Sequence, residues 1–260
     1  MHSSFFEPAG PDEFVATSAT AGPWSAQAQH GGPPSALLGR AFERHEPAAG
    51  QRLARVTVDI LGPVPLGKVS VRTRTVRPGR RVTLLEGALE AGGREVLHAR
   101  GWRIAMPAAP VPEVRQNENL PPIPQHDVRP VFPGGGYTDG YLAAVEWRFV
   151  TGGFGDYRPS SAWLRPRIPL LPGEEPSPMC RSLLLGDSGS GVGLAVDPAE
   201  FLCINVDLTV VLPRDPAGEW LLLGADTMIG GQGTGLTQTS LSDTGGRCGT
   251  VVQTLLVEPR

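Results

Sequence analysis

A carboxylate on an apolar helix face is the first feature of this sequence that could do chemistry. Asp187 follows Cys180, Leu183 and Leu184 at the spacing i, i+3, i+4, i+7, which places the four side chains on one face of a helix. A carboxylate on such a face is costly unless it is hydrogen-bonded or borders a solvated cavity. The alternative interpretation is that nearby glycines end the helix, so that Asp187 reaches solvent.

Two amide side chains are further candidates. Gln253 shares one face of a strand with Val251, Leu255 and Val257, because successive side chains of a strand point to opposite faces. It is therefore a polar group on an apolar stripe, unless the strand lies at an edge and turns it toward water. Asn205 lies on a face of mixed character, and its pattern alone indicates no role.

Other motifs lack the partners that their chemistry needs. Residues 186–189 (GDSG) resemble the nucleophile loop of chymotrypsin-like proteases, but no histidine has a context that supports it as the base. The glycine-rich residues 230–235 have no following Lys-Ser/Thr and lie between strands, which predicts a loop rather than a phosphate site. Cys180, Cys203 and Cys248 cannot all pair and lack metal-ligand spacing, so we predict no metal and a reducing compartment.

The elements that position these residues follow one pattern twice, a helix and then several strands. The first helix is predicted over 35–44, and the second starts with Ser177 as N-cap and Pro178 at the first helical position. Strands are predicted at 54–61, 69–76, 81–89, 95–105, 201–212, 220–228, 235–242 and 249–257. One helix followed by an antiparallel meander predicts a sheet wrapped around that helix, used twice.

A proline-rich segment divides the chain into two similar parts. Residues 106–136 carry prolines that exclude a regular helix or a central strand, so they are predicted to link a repeat at 1–105 to a repeat at 137–260. The repeats share landmarks in the same order, for example 58–60 (VDI) and 206–208 (VDL), each followed by proline six residues after the aspartate. An internal duplication is therefore predicted.

Composition excludes several classes of protein. The 260 residues carry a net charge of −3, with 40% hydrophobic and 19% charged residues, which suits a globular chain rather than a disordered one. The acidic balance argues against a nucleic-acid binder, and no apolar run approaches the ~20 residues that span a bilayer. Residues 1–7 lack the features of a signal peptide, so we predict a cytoplasmic protein that does not insert into membranes.

One string of residues carries a family resemblance. Residues 30–38 (HGGPPSALL) resemble the first helix of the double-hotdog acyl-CoA thioesterases of the thioesterase II type, and residues 185–188, 205–209, 218–222 and 252–257 are similar to the C-terminal half of that family. The resemblance covers 23–257, and it is closest to the thioesterase-like group of high-GC bacteria. It implies an α+β double hotdog fold, in which each of two repeats has a helix wrapped by an antiparallel sheet. It also implies thioester hydrolysis without a metal, a cofactor or a covalent intermediate.

The resemblance implies three catalytic positions. The family's aspartate falls at Asp187 and its glutamine at Gln253, whereas its threonine falls at Asn205, which departs in residue type but can still hydrogen-bond. Asp187 is expected to act as general base on a water molecule that Gln253 and Asn205 help to hold. Backbone N–H groups at a helix N-terminus are expected to polarise the thioester carbonyl.

Residues at the start of the first helix are expected to bind substrate. Gly31 and Gly32 would let the substrate approach the backbone closely, and His30 would donate a hydrogen bond in the same site. The alternative for His30 is a solvent-facing side chain in the loop before the helix.

The first repeat is expected to carry no second active site. It has Arg40, Thr57 and Arg100 where the second repeat has Asp187, Asn205 and Gln253, which leaves neither a carboxylate nor an amide. Arg40 and Arg100 are expected to have no catalytic role and at most to contact coenzyme A.

Hydrolysis of acyl-CoA to a free fatty acid and CoA is the predicted function, with acyl-CoA or acyl carrier protein as the partner and a homo-oligomer as the assembly. Two alternatives remain open at this point. One is a hotdog dehydratase or hydratase, which would need His30 or His98 in the groove. The other is a non-catalytic acyl-binding module.

Overall fold

The computed structural model describes residues 2–114 and 119–260. Its helices are α1 (Gly32–Arg44), α2 (Tyr141–Ala144), α3 (Pro178–Gly186) and α4 (Gly189–Val192), with one 3-10 turn at Ser18–Thr20. The strands are β1 (Phe6–Pro8), β2 (Glu13–Ala16), β3 (Ala21–Gly22), β4 (Ser25–Gln29), β5 (Gln51–Ile60), β6 (Gly67–Arg77), β7 (Val82–Ala91), β8 (Arg94–Ala105), β9 (Val145–Thr151), β10 (Ser160–Pro166), β11 (Phe201–Asn205), β12 (Asp207–Val211), β13 (Leu221–Ile229), β14 (Thr234–Asp243) and β15 (Gly246–Pro259).

Thirteen strands of the described residues form one antiparallel sheet with internal symmetry. The order β2-β6-β7-β8-β5 in the first part of the chain is mirrored by β10-β13-β14-β15-β12 in the second. The two halves join where β5 pairs with β12, and Asp59 lies opposite Asp207 at that junction. These are the aspartates of the two matching landmarks, so the junction coincides with a pseudo-twofold axis.

The two longer helices, α1 and α3, pack against each other and against the sheet. Leu37, Leu38 and Phe42 of α1 are fully buried there. Gly39 permits close packing, because a Cβ at this position would lie 2.5 Å from Cδ1 of Leu183. Among the described residues no helix is long and apolar enough to cross a membrane.

The predicted elements are confirmed with small changes at their ends. α1 begins at Gly32, three residues earlier than predicted, because prolines are tolerated in the first helical turn. Ser177 is the N-cap of α3, and its hydroxyl accepts a hydrogen bond from the Cys180 N–H. The strand predicted over 201–212 is divided at Val206, where the register against β15 shifts by one residue.

The proline-rich segment contains no helix or strand in its described part, as predicted, but it is docked on the protein rather than free. Val128 donates its N–H to the carbonyl of Trp147, and the Asp127 carboxylate accepts the Trp147 N–H. The segment thereby covers β9, an edge strand that the sequence analysis missed. The proposed boundaries of the repeats, 1–105 and 137–260, stay a prediction.

Candidate active site

Asp187 directly follows the last residue of α3, and its side chain turns inward. The helix ends where the glycines predict, but the residue is only 5% exposed, so the interpretation that Asp187 reaches bulk solvent is wrong. The carboxylate faces the N-terminus of α1, whose dipole favours a negative charge. A Cβ on Gly31 would lie 2.8 Å from Asp187 Oδ2, which shows how closely the helix start approaches the carboxylate.

Three side chains that are distant in sequence converge on Asp187. Asn205 Nδ2 donates to Oδ1 of Asp187 at 2.8 Å, and His30 Nδ1 lies 2.9 Å from Oδ2. Gln253 Nε2 lies 3.2 Å from the main-chain oxygen of Asp187 and 3.4 Å from Oδ1. All three predicted catalytic residues and His30 therefore lie in one hydrogen-bonded cluster.

The cluster keeps Asp187 ionised. Burial alone would raise the pKa of its carboxyl. The attraction to His30 and the hydrogen bonds from His30, Asn205 and the Gly32 N–H outweigh burial, so the pKa lies below its usual value. The carboxylate is consequently available as a proton acceptor at neutral pH.

His30 is held against Tyr141. The two rings are stacked, with centroids 3.8 Å apart and an angle of 11° between their planes. Two hydrogen-bond acceptors would not remain 2.9 Å apart, so His30 Nδ1 carries a proton that it donates to Asp187. Its side chain is 13% exposed, which argues against the solvent-facing alternative.

Tyr141 is a site residue that the sequence analysis missed. It is completely buried, and its hydroxyl contacts the Leu184 carbonyl and the Ser188 hydroxyl, both at 2.8 Å. Burial raises the pKa of this hydroxyl, which therefore stays protonated. No motif marks Tyr141, because its partners come from α3 and from the loop that carries His30.

Gln253 contacts Asp187 from within the protein core. Its side chain is fully buried, and its Oε1 accepts the Ser190 N–H at 3.0 Å, which leaves the Nε2 group directed at Asp187. Gly189 allows this contact, because a Cβ there would lie 2.2 Å from Thr239 Oγ1 and 3.0 Å from Gln253 Oε1. Gln253 does not line the cavity described next, so its geometry is that of a positioning residue.

An apolar cavity of about 380 Å³ opens beside the cluster. His30, Gly31, Asp187 and Asn205 line it, whereas Gly32 does not. Its other walls are mainly apolar: Trp24, Ile60, Leu61, Val64, Leu97, Phe132, Leu142, Trp147, Phe154, Leu194, Leu202, Ile204 and Val206. A cavity of this size, with a few polar groups gathered in one corner, suits an apolar small-molecule ligand.

Gly32 allows α1 and α3 to pack closely because it has no side chain. A Cβ at this position would lie 2.2 Å from the Leu184 carbonyl oxygen, a backbone atom at the contact between α1 and α3. We expect Gly32→Ala to lower the free energy of unfolding by about 1–3 kcal/mol, because the helices must separate to admit the methyl group. Thermal and urea denaturation would measure this effect.

Gly231→Ala is the matched control for that experiment, since nothing lies within 4 Å of a Cβ at Gly231 and its φ is not positive. Equal midpoints for the Gly32 variant and the control would contradict the packing role of Gly32.

The described residues of the first repeat, 2–105, form no counterpart to the cluster. Arg40 forms an ion pair with Glu174, and the Thr57 hydroxyl contacts Thr209. Arg100 pairs with Glu86 and is exposed, whereas its neighbours in the chain are buried, so it lies on the sheet face opposite to that of Gln253. Arg40 and Arg100 do not line the cavity, and their contacts with glutamates give no support to a role in binding coenzyme A.

His98 does not line the cavity. It pairs with Glu86 and Glu95. Within residues 2–114 and 119–260, no group of three His, Cys, Asp or Glu side chains could hold a metal ion. Of the two histidines named for a dehydratase or hydratase, only His30 is in the groove.

Family models match most of the sequence. Residues 20–104 match the model of the acyl-CoA thioesterase N-terminal domain, and residues 117–257 match that of the acyl-CoA thioesterase C-terminal domain. No curated protein matches the sequence significantly.

Solved structures are similar over nearly the whole chain. A hot dog fold protein of unknown function from Alicyclobacillus acidocaldarius is 16% identical, with 98% of this chain and 96% of that chain covered and a TM-score of 0.75. A candidate thioesterase from Novosphingobium aromaticivorans is 20% identical, with 97% and 98% covered and a TM-score of 0.74. An acyl-CoA thioesterase II, TesB2, from Mycobacterium marinum is 14% identical, with 98% and 95% covered and a TM-score of 0.68.

At such low identities the similarity shows the fold alone. Together with the two domain matches, it confirms the prediction of an α+β double hotdog.

Proposed function

The chain belongs to the acyl-CoA thioesterase family and is a thioester hydrolase, and we propose that it cleaves acyl-CoA by direct attack of water with Asp187 as the general base. One observation carries this proposal. An ionised carboxylate, held by three side chains, lies in the polar corner of an apolar cavity. The acyl chain would occupy the cavity, and its thioester carbonyl would lie beside Asp187.

The reaction needs one proton acceptor. The oxygen of water attacks the carbonyl carbon while one of its protons passes to the Asp187 carboxylate. The resulting oxyanion collapses, the C–S bond breaks, and the departing sulfur takes the proton back from Asp187. The products are the carboxylic acid and the free thiol of CoA.

The start of α1 supplies the N–H groups that would stabilise the oxyanion. Pro33 and Pro34 have none, so Gly31 and Gly32 carry the first donors of the helix. The Gly32 N–H already donates to the Asp187 carboxylate. The Gly31 N–H, at the cavity wall and at the positive end of the helix dipole, is therefore the group assigned to the oxyanion.

Asn205 would complete the water site. Its Nδ2 is used by Asp187 and by the Asp207 carbonyl, which leaves the amide oxygen as an acceptor at the cavity wall. A water molecule could donate one proton to this oxygen and the other to Asp187. This role needs an acceptor oxygen, which threonine and asparagine both provide, so the departure from the family's residue is compatible with catalysis.

Hydrolysis is favoured over the two alternatives. Membership of the thioesterase family argues against a non-catalytic acyl-binding module. The contact between His30 and Asp187 is of the kind that a hydratase would need, but that histidine uses Nδ1 to hold the carboxylate.

Release of free thiol from a panel of acyl-CoAs and acyl carrier proteins tests the proposal and identifies the carrier. If His30 variants abolish turnover while Asp187 variants retain it, the assignment of the general base is wrong.

The pH profile of hydrolysis reports on the cluster. The lowered pKa of Asp187 predicts that kcat/KM is constant at neutral pH and falls only when acid protonates the carboxylate. Replacing His30 by glutamine removes the largest of the influences that lower this pKa. We therefore expect the acid limb of the His30→Gln profile to move to higher pH.

His98→Gln is the control for this shift, because His98 also contacts carboxylates but lies outside the cavity. An acid limb that stays in place, or moves to lower pH, in the His30 variant would contradict the electrostatic role of His30.

A further inference from the structure

The apolar end of the cavity is built by segments that are far apart in the chain. Trp24 comes from the turn between β3 and β4, Phe132 from the proline-rich segment, and Phe154 from the loop between β9 and β10. The rings of Trp24 and Phe132 meet edge to face, with centroids 4.9 Å apart. Phe154 makes a similar contact with Trp147 at 5.2 Å. The segment that joins the repeats is thus part of the cavity wall.

Phe132 is held in place by its own segment. A Cβ on Gly136 would lie 2.4 Å from Phe132 Cδ1, so the ring lies directly against the backbone of that glycine. Tyr137 donates its N–H to the carbonyl of Pro23, next to Trp24. Gly134 and Gly135 have φ values of 78° and 81°, the left-handed conformation that brings the chain around between these contacts. The turn therefore fixes Phe132 against Trp24.

The catalytic cluster borders a different part of the cavity. Val206 follows Asn205 directly, and its carbonyl accepts the Ile60 N–H, which places Leu61 on the same side. Leu61 and Val206 are 58% and 42% exposed and line the cavity, so they mark an opening next to the cluster. Trp24 is also 42% exposed, but its ring contacts Phe132 and has the Arg260 guanidinium 5.8 Å from its centroid. In contrast, a chain of ring contacts leads from His30 through Tyr141 and Trp147 to Phe154, so two rings separate Phe154 from the cluster.

These positions orient the substrate. The carrier is polar and large, so it belongs at the exposed opening beside Asn205. The acyl tail is apolar, and it belongs at the aromatic end, whose three lining rings carry no charge. We propose that Phe132 is a specificity-determining residue, which limits the length of the acyl chain by closing the end of the cavity together with Trp24. This inference rests on the proposed function, because it assumes that the cavity holds the acyl group.

Kinetics of Phe132→Ala on saturated acyl-CoAs of increasing length test the inference. Removing the ring should extend the cavity, so the ratio of kcat/KM for long chains to that for short chains should rise by about tenfold or more. The matched control is Val131→Ala, since Val131 precedes Phe132, is 62% exposed and does not line the cavity. A ratio that stays within about twofold of wild type, or an equal rise in KM for every chain length, would overturn the inference.

A binding measurement distinguishes failure of this inference from failure of the proposed function. Calorimetry with S-alkyl-CoA thioethers, which cannot be hydrolysed, reports on the cavity without turnover. If wild type cleaves no acyl-CoA but Phe132→Ala still shifts thioether affinity toward longer chains, the proposed function fails and the inference stands. If wild type cleaves acyl-CoA and neither measurement shows a shift, the inference fails alone. Thermal denaturation of both variants verifies that they are folded.

Discussion

Replacing Asp187 by asparagine should lower kcat for acyl-CoA hydrolysis by a factor of about 10²–10⁴, the usual contribution of a general base. The variant keeps the shape of the side chain but can no longer accept a proton from water, and its amide NH2 replaces the oxygen that accepts the His30 Nδ1–H. Asparagine can still accept hydrogen bonds from Asn205 and Gln253 through its oxygen, so the cluster retains most of its geometry. Measurement of free thiol under saturating acyl-CoA gives kcat directly.

Asp226→Asn is the matched control, because Asp226 is an exposed aspartate of β13 that does not line the cavity. Its kcat should equal that of wild type. Turnover by Asp187→Asn within about threefold of wild type would exclude Asp187 as the general base, since general-base assistance is a much larger effect.

Replacing Gln253 by alanine should cost both activity and stability. The half-buried Ser190 N–H would lose its acceptor and the fully buried Gln253 side chain would leave a gap, which together should cost about 1–3 kcal/mol of folding free energy. The Asp187 carboxylate would also lose one of the groups that orient it. Because small misplacements of a catalytic group can cost about 10²-fold, we expect kcat to fall by about 10- to 100-fold while KM changes little.

Gln238→Ala controls for the loss of a glutamine from the sheet. Gln238 lies on β14, next to the strand of Gln253, but its side chain is exposed. A larger rise in KM than fall in kcat for Gln253→Ala would argue that Gln253 contacts substrate instead of positioning Asp187. Urea denaturation of the two variants separates the loss of stability from the loss of rate.

Periodicity in the sequence was sufficient to find the elements and the polar residues on their buried faces. The helical spacing that ends at Asp187 and the strand alternation around Gln253 place both polar side chains on apolar faces, and the structure shows that both are buried. The N-cap at Ser177 and the eight predicted strands followed from equally local patterns. Patterns of this kind succeed because the side-chain directions of helices and strands are fixed by local backbone geometry.

Local patterns cannot show which residues meet across the core. Arg100 was matched with Gln253 in the sequence, but the two side chains lie on opposite faces of the sheet, because a shift of one residue moves a strand side chain to the other face. The strands β9 and β10 were missed beside the proline-rich segment, and with them the surface on which that segment docks.

The sequence by itself predicted the repeats, the family resemblance with its double hotdog fold, and Asp187 and Gln253 as polar residues on apolar faces. Only the tertiary structure decided that His30 holds the carboxylate, that Tyr141 supports His30, and that Phe132 of the connecting segment closes the cavity. The physical reason is that each of these contacts joins residues from separate elements. Their distances depend on how closely α1 packs against α3 and on where the connecting segment docks, and a periodic pattern contains neither quantity.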